Sequence, residues 1–224
     1  MIKYSSRLQC IFNLLKYSDV TVDVGCDHGF VTYYLLSQNI AKNVIATDIS
    51  SKCLDKTKEL IDSNNLSHRA TFVATDGLCG IHNPNIDQII IAGMGGSTIM
   101  HIIQHMPSSC KSARLILQPM NNIMNLRIFL AQNGYTFERD LITIDDGRFY
   151  HFMVVVPGKC TLTETQIHCG AVTSDYQSSD YTEWLKHTIH KMQDIVEYMP
   201  NANPRRLKFM RGIYILGNIL KGEE

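Results

Sequence analysis

The chain lacks an excess of charge of either sign, since 21 lysines and arginines face 21 aspartates and glutamates in 224 residues. No global field draws it to nucleic acid, so an RNA partner would have to be held by local patches. It also lacks long apolar runs: Ile89 to Ala92 and Phe152 to Val156 are far too short to span a bilayer. No membrane association is expected. The segment MIKYSSRLQCIFNLLKYS has neither the apolar h-region nor the cleavage site of a signal peptide, and reads as a short amphipathic helix begun near Ser5 or Ser6. Its seven cysteines (Cys10, Cys26, Cys53, Cys79, Cys110, Cys160 and Cys169) include no C-x-x-C pair. That is the usage of a reducing compartment, and a cytoplasmic location is expected. Cys160, His168 and Cys169 lack a second ligand pair at finger spacing, so no metal site is expected.

A dinucleotide fingerprint is missing as well. Residues 20–30, VTVDVGCDHGF, run from a β-branched strand into a Gly-x-x-x-Gly turn and then a helical pattern through Val31, Leu35 and Leu36. This is the first βα turn of a nucleotide-binding α/β domain. G-x-G-x-x-G would let backbone N–H groups grip a pyrophosphate, but Asp27 fills the middle glycine slot. Asp23 and Asp27 put negative charge where a pyrophosphate would sit, and suit instead a phosphate-free ligand with a positive sulfonium, such as S-adenosylmethionine.

Strand and helix patterns alternate from residue 20 onward, which predicts a doubly wound α/β sheet. The spacing gives strands at 20–25, 43–48, 70–75, 86–92 and 113–118, and helices at 28–38, 51–64, 97–106 and 122–133. Tyr135 to Ile144 and Arg148 to Val156 then flank Asp145, Asp146 and Gly147, a strong hairpin signal. A sheet closed by an antiparallel hairpin is the Rossmann-like arrangement of class I methyltransferases. Pro157 and Gly158 end this unit, giving a domain over 1–157. Residues 159–178 read as a polar connector. In the remainder of 158–224, Leu185, Ile189, Met192, Val196 and Met199, and then Phe209, Ile213, Leu216 and Leu220, recur at helical spacing. Asn203 and Pro204 open the second helix, so the tail is expected to be a small helical hairpin of coiled-coil type.

Asp48 ends the second strand 25 residues after Asp23, where a carboxylate accepts both ribose hydroxyls of an adenosyl ligand or simply caps the next helix. Asp76 and Gly77 follow the third strand, where the adenine of such a ligand sits. The fourth strand ends in IIIAGMGGS, residues 89–97, in place of the Asn/Asp-Pro-Pro-aromatic motif of many base-nitrogen methyltransferases. Its glycines allow close approach of a flat base or a methyl donor but supply no proton acceptor.

Together DVGCDHG at 23–29, AGMGG at 92–96 and LILQP at 115–119 resemble the bacterial tRNA (adenine(22)-N1)-methyltransferase family. The resemblance runs through residues 1 to about 157 and loosely into the tail, whose hairpin looks short for the family. It implies an enzyme that uses S-adenosylmethionine to methylate N1 of an adenine in tRNA. Carried over by position, Asp23, Gly25, Asp27, His28, Asp48, Ile49, Asp76, Gly77, Gly93, Met94 and Gly95 would frame the donor, while Gln118 and Pro119 flank the base. Asp27, His28, Gln118 and Asn121 are the candidates for orienting the base and accepting a proton, in no fixed order. For RNA contacts the chain offers Lys3, Arg7 and Lys16 at the N-terminal helix and Arg205, Arg206, Lys208 and Arg211 at the start of the last helix. The rival readings are a methyltransferase for another RNA, a protein or a small molecule, and a non-catalytic RNA-binding module. A monomer is expected.

Overall fold

The structure, a computed structural model, describes residues 3–222. Its elements run α1 (Ser6–Leu14), β1 (Ser18–Val24), α2 (Phe30–Ser37), β2 (Ala41–Asp48), α3 (Ser51–Ser63), β3 (Ala70–Ala74), β4 (Ile86–Met94), α4 (Gly96–Gln104), β5 (Arg114–Pro119), α5 (Ile123–Gln132), β6 (Tyr135–Asp145), β7 (Arg148–Pro157), α6 (Glu164–Cys169), α7 (Ser179–Tyr198) and α8 (Arg206–Lys221). The seven strands form one sheet in the order β3-β2-β1-β4-β5-β7-β6. The first five pair in parallel, and β7 enters antiparallel between β5 and β6. Asp146 and Gly147 both take positive φ (49° and 70°), the two-residue turn whose twist matches a hairpin.

Strand alternation sorts the core into two layers. Ile89, Ile91, Leu115, Leu117, Met153 and Val155 pack under α4 and α5, while Ile90, Ile116, Phe152 and Val154 face α1 and α2 on the other side. Burial on both faces is why β4 and β5 are continuous apolar runs. On the α1 side the Phe12 and Tyr34 rings stack with centroids 3.7 Å apart.

The stretch 159–178 is more than a connector. Thr163 and Gln166 form a reciprocal capping box that starts α6, and a 3-10 turn follows at Thr173–Gln177. This segment covers the exposed edge of β6. Asp175 accepts from the Asp140 amide at 2.9 Å, and Asp180 accepts from the Ile144 amide at 2.9 Å. Free edge amides are thereby satisfied. The fully buried Arg127–Asp140 ion pair, at 2.7 Å, joins α5 to β6, and Arg127 also donates to the carbonyls of Ile167 and His168.

The tail hairpin forms as expected but shares its core with the sheet: Ile142 of β6 packs with Tyr181, Trp184, Leu185, Ile215 and Leu216. Its details differ from the sequence expectation. Leu220 is exposed, and Gly212, Ile215 and Leu216 face inward on α8. The helix also starts later, at Arg206, with Asn203 accepting from the Arg205 amide outside it. The Asn203 carbonyl accepts from the Arg206 amide at 3.0 Å, so residues 203–206 form a turn of their own ahead of the helix. Among the described residues no helix is long and apolar enough to cross a membrane.

Candidate active site

The strand order reverses between β1 and β4, and the crevice beyond their carboxyl ends is where ligands bind in open α/β sheets. A cavity of about 450 Å³ lies there, lined by Asp23, Gly25, Asp27, His28, Asp48, Gly93 and Met94 together with Arg7, Leu8 and Ile11 from α1.

Gly25 turns the chain out of β1 with φ +73°, and a Cβ there would collide with the Met94 methyl. The Met94 methyl ends a flexible side chain, so it is the positive φ that calls for glycine here. Asp27 takes φ +43°, a left-handed conformation that aspartate tolerates better than most residues. The result is an amide aimed across the crevice: Asp27 N donates to Asp48 Oδ2 at 3.3 Å, and Ser50 N donates to Asp48 Oδ1 at 2.8 Å. The Asp48 carboxylate is thus fixed at the end of β2, and the neighbouring Ile49 side chain is 78% exposed.

Asp23 is buried, and Thr32 donates to its Oδ2 through both the amide (3.1 Å) and the hydroxyl (2.7 Å). Burial pushes its carboxyl up to about 6, against the lowering effect of those two bonds. Its principal partner is therefore α2. Cys26 is also raised, to about 12, chiefly by burial, so it offers no thiolate to the cavity. His28 is exposed, with Nε2 3.6 Å from Asp27 Oδ2 and its ring 5.9 Å from Phe30.

Arg7, a candidate for RNA contact in the sequence, lines the crevice. Its Nη1 donates to Gln118 Oε1 at 3.0 Å and its guanidinium lies 5.8 Å from the Tyr150 ring centroid. α1 crosses the mouth of the crevice because the Asp145 carboxylate accepts from the Ser6 and Arg7 amides at its N-terminus. The expectation for Gln118, that it orients the base, is the one that changes. The side chain is fully buried, its Oε1 accepts from Arg7 and from Gly93 N (3.1 Å), and its Nε2 donates to Pro119 O (3.1 Å). With its polar atoms committed inside the protein, Gln118 positions Arg7 and the Gly93 turn and is not left to touch a base.

Asn121 Oδ1 accepts from Gly96 N at 3.1 Å, bringing the loop after β5 against the AGMGG turn. A Cβ at Gly96 would press on the Asn121 carbonyl oxygen, whereas Gly95 has more room. Asp76 is exposed at the end of β3, and Gly77, with φ +58°, accepts from Thr47 Oγ1 through its carbonyl. Asp76, Gly77, Gly95 and Ile49 lie outside the lining of the main cavity.

The basic residues separate in the same way. Lys3 is exposed ahead of α1. Lys16 lies beyond α1 at the amino end of β1, opposite the crevice, and pairs with Glu138 at 3.1 Å. Arg206 turns back to donate to the carbonyls of Val196 and Met199, capping the end of α7, and Arg211 pairs with Glu164 at 2.7 Å. Arg205 and Lys208 are exposed.

The chain carries a methyltransferase domain: residues 4–153 match the family profile of that description. It is 33% identical over 171 residues to a Mycoplasma pneumoniae protein provisionally assigned as a tRNA methyltransferase, covering 73% of this chain and 78% of that one. It is 30% identical over 158 residues to the tRNA (adenine(22)-N1)-methyltransferase of Bacillus subtilis (70% of this chain, 66% of the relative). The chain belongs to the tRNA (adenine(22)-N1)-methyltransferase family. Its fold matches that of M. capricolum TrmK, solved with S-adenosylhomocysteine, with a TM-score of 0.89 at 22% identity over 99% of both chains. That coverage includes the tail, so the hairpin is not short beside this relative.

Proposed function

We propose that the protein methylates N1 of adenine 22 in tRNA, with S-adenosylmethionine as the donor. The observation that carries this reading is the crevice itself, where fixed carboxylates and one arginine stand in place of a phosphate cradle. A ligand with a ribose diol, a cationic sulfonium and a free amino-acid end suits that set. In this reading Asp48 accepts from the ribose hydroxyls, and Ile49 covers one face of the donor's adenine. Asp76 accepts from the exocyclic amine. Asp23, Asp27 and His28 line the cationic end with Gly25, Gly93 and Met94, and Arg7 meets the carboxylate.

The donor, when bound, supplies an electrophilic methyl group. Neutral adenine already carries a lone pair at N1, so the protein's task is alignment and tolerance of a cationic product. Gly93 and Gly95 let a flat base approach the backbone, and Gly77 turns the chain beside the donor. Asn121, held through its Oδ1 by Gly96, keeps an amide N–H₂ near that turn, while Asp27 and His28 are the candidate acceptors for the N6 amine. The target base must be unpaired or turned out of its stack.

Residues 1–157 form the methyltransferase unit in this reading, with 158–224 an accessory helical unit. Lys3, Arg205 and Lys208 are available to phosphates. The protein acts as a cytoplasmic monomer. The experiment is incubation of the pure protein with unmodified tRNA and labelled donor, followed by nucleoside mass spectrometry and primer extension. N1-methyladenosine at position 22 is the expected product, and label in another nucleoside or in protein would replace this reading with one of its rivals.

A further inference from the structure

A second cavity, of about 330 Å³, opens between α5 and the tail hairpin. His151 of β7 and Trp184 of α7 form its inner wall, edge to face with ring centroids 5.2 Å apart. His151 is 8% exposed, and its Nδ1 has no hydrogen-bond partner among the described residues. A buried polar atom left in this state is uncommon and costly, and here it lines a cavity. Burial and the nearby Arg127 hold the imidazole down at about 3, so the ring is neutral and offers one donor and one acceptor. Asn125 and Lys208 contribute polar groups to the same cavity.

One residue of the cleft reaches toward the AGMGG turn. This residue, Asn122, follows Asn121 in sequence and donates through Nδ2 to Ser97 Oγ at 3.1 Å, on the AGMGG side. Aromatic and neutral imidazole surfaces suit an unstacked base, and an adjacent ammonium group suits the phosphodiester attached to it.

We propose that this cleft is a second nucleotide subsite, which takes an unstacked base of the RNA substrate against His151 and Trp184 while Lys208 meets its phosphate. The inference rests on the tRNA methyltransferase reading and adds a recognition element outside the methyl-transfer crevice. It makes the tail hairpin one wall of the binding site.

Trp184 is the chain's single tryptophan, so its fluorescence reports on this cleft alone. The test titrates the full chain with an unmodified tRNA transcript, following Trp184 fluorescence and, separately, filter retention of the RNA. Methylation kinetics are then measured for wild type, His151→Phe and Lys208→Glu. Quenching of Trp184 on RNA binding is expected, with the KM for tRNA raised about fivefold or more in each variant and donor affinity unchanged. Lys208 is exposed, so its variant tests the proposal even if His151→Phe fails to fold. Wild-type KM in the folded variants, with RNA retained but Trp184 unquenched, overturns the subsite and leaves the methyltransferase reading standing. If wild type neither retains nor methylates tRNA, both fall together.

Discussion

Arg7 Nη1 donates to Gln118 Oε1 across 3.0 Å, linking the N-terminal helix to the end of a central strand 111 residues away. The same oxygen accepts from Gly93 N, so one buried amide sets both the α1 side of the crevice and the bulged end of β4. Gln118→Leu would strand two donors at a partly buried position, and should lower stability by about 1–3 kcal/mol. Donor affinity should fall as well, whereas Gln118→Glu, which keeps the acceptor, should retain more of it. Denaturant melts and calorimetry check the pair. Equal donor affinity in all three proteins would detach Arg7 from donor binding.

Asp48→Ala should weaken S-adenosylmethionine binding by about 1.5–3 kcal/mol, the range for hydrogen bonds involving a charged partner. Calorimetry on the folded variant measures it. Unchanged affinity would mean that the carboxylate serves only the amides of Asp27 and Ser50.

Gly25→Val should abolish donor binding, because the residue needs positive φ and has the Met94 methyl against it. Gly80→Ala is the control, with the same φ of +73° but nothing within 4 Å of the added Cβ. It should bear the backbone strain and still bind donor. Gly95→Val, facing Asn121, should reduce turnover on tRNA more than donor affinity, which steady-state kinetics on both substrates resolves.

His151 gives a pH prediction. Its folded pKa of about 3 lies below the 6.5 expected when unfolded, chiefly through burial. The unfolded chain therefore binds the proton more readily between these values. Stability from this group is present above pH 6.5 and is lost as pH falls toward 3, by at most about 1.4 kcal/mol per unit. A folded His151→Phe should show a shallower fall in stability over that window in urea titrations. Parallel curves would mean that the imidazole is hydrated in the native state.

The sheet and its hairpin were legible because Val20 to Val24 and Ile89 to Ile91 alternate with helical patterns and Asp146-Gly147 permits few alternatives to a tight turn. Seven of the eleven donor-site candidates line one cavity for a related reason: βα turns place their residues at a common sheet edge. Arg7 was not legible, since its role depends on where α1 docks, and that is decided by Asp145 far along the chain. Leu8, Ile11 and Phe12 show that the helix packs but not on what. The Thr163-x-x-Gln166 capping signature was there to be read in the supposed connector. The surroundings of Arg206 and Arg211 were not legible either, because a run of cations says nothing about which ones are engaged by carbonyls or Glu164.

The anchoring of α1 by Asp145 also orders events during folding. Ser6 and the carboxylate that receives its amide are 139 positions apart, and the apolar face of α1 packs in one cluster with Phe152 and Val154 of β7. Helix α1 is therefore among the last elements of the sheet domain to find its place, after the β6–β7 hairpin is available. Until then the crevice lacks the wall that carries Arg7, and a chain whose hairpin has not formed has the glycine turn but no closed pocket. A contact between the two ends of the sheet domain thus decides when the donor site exists at all.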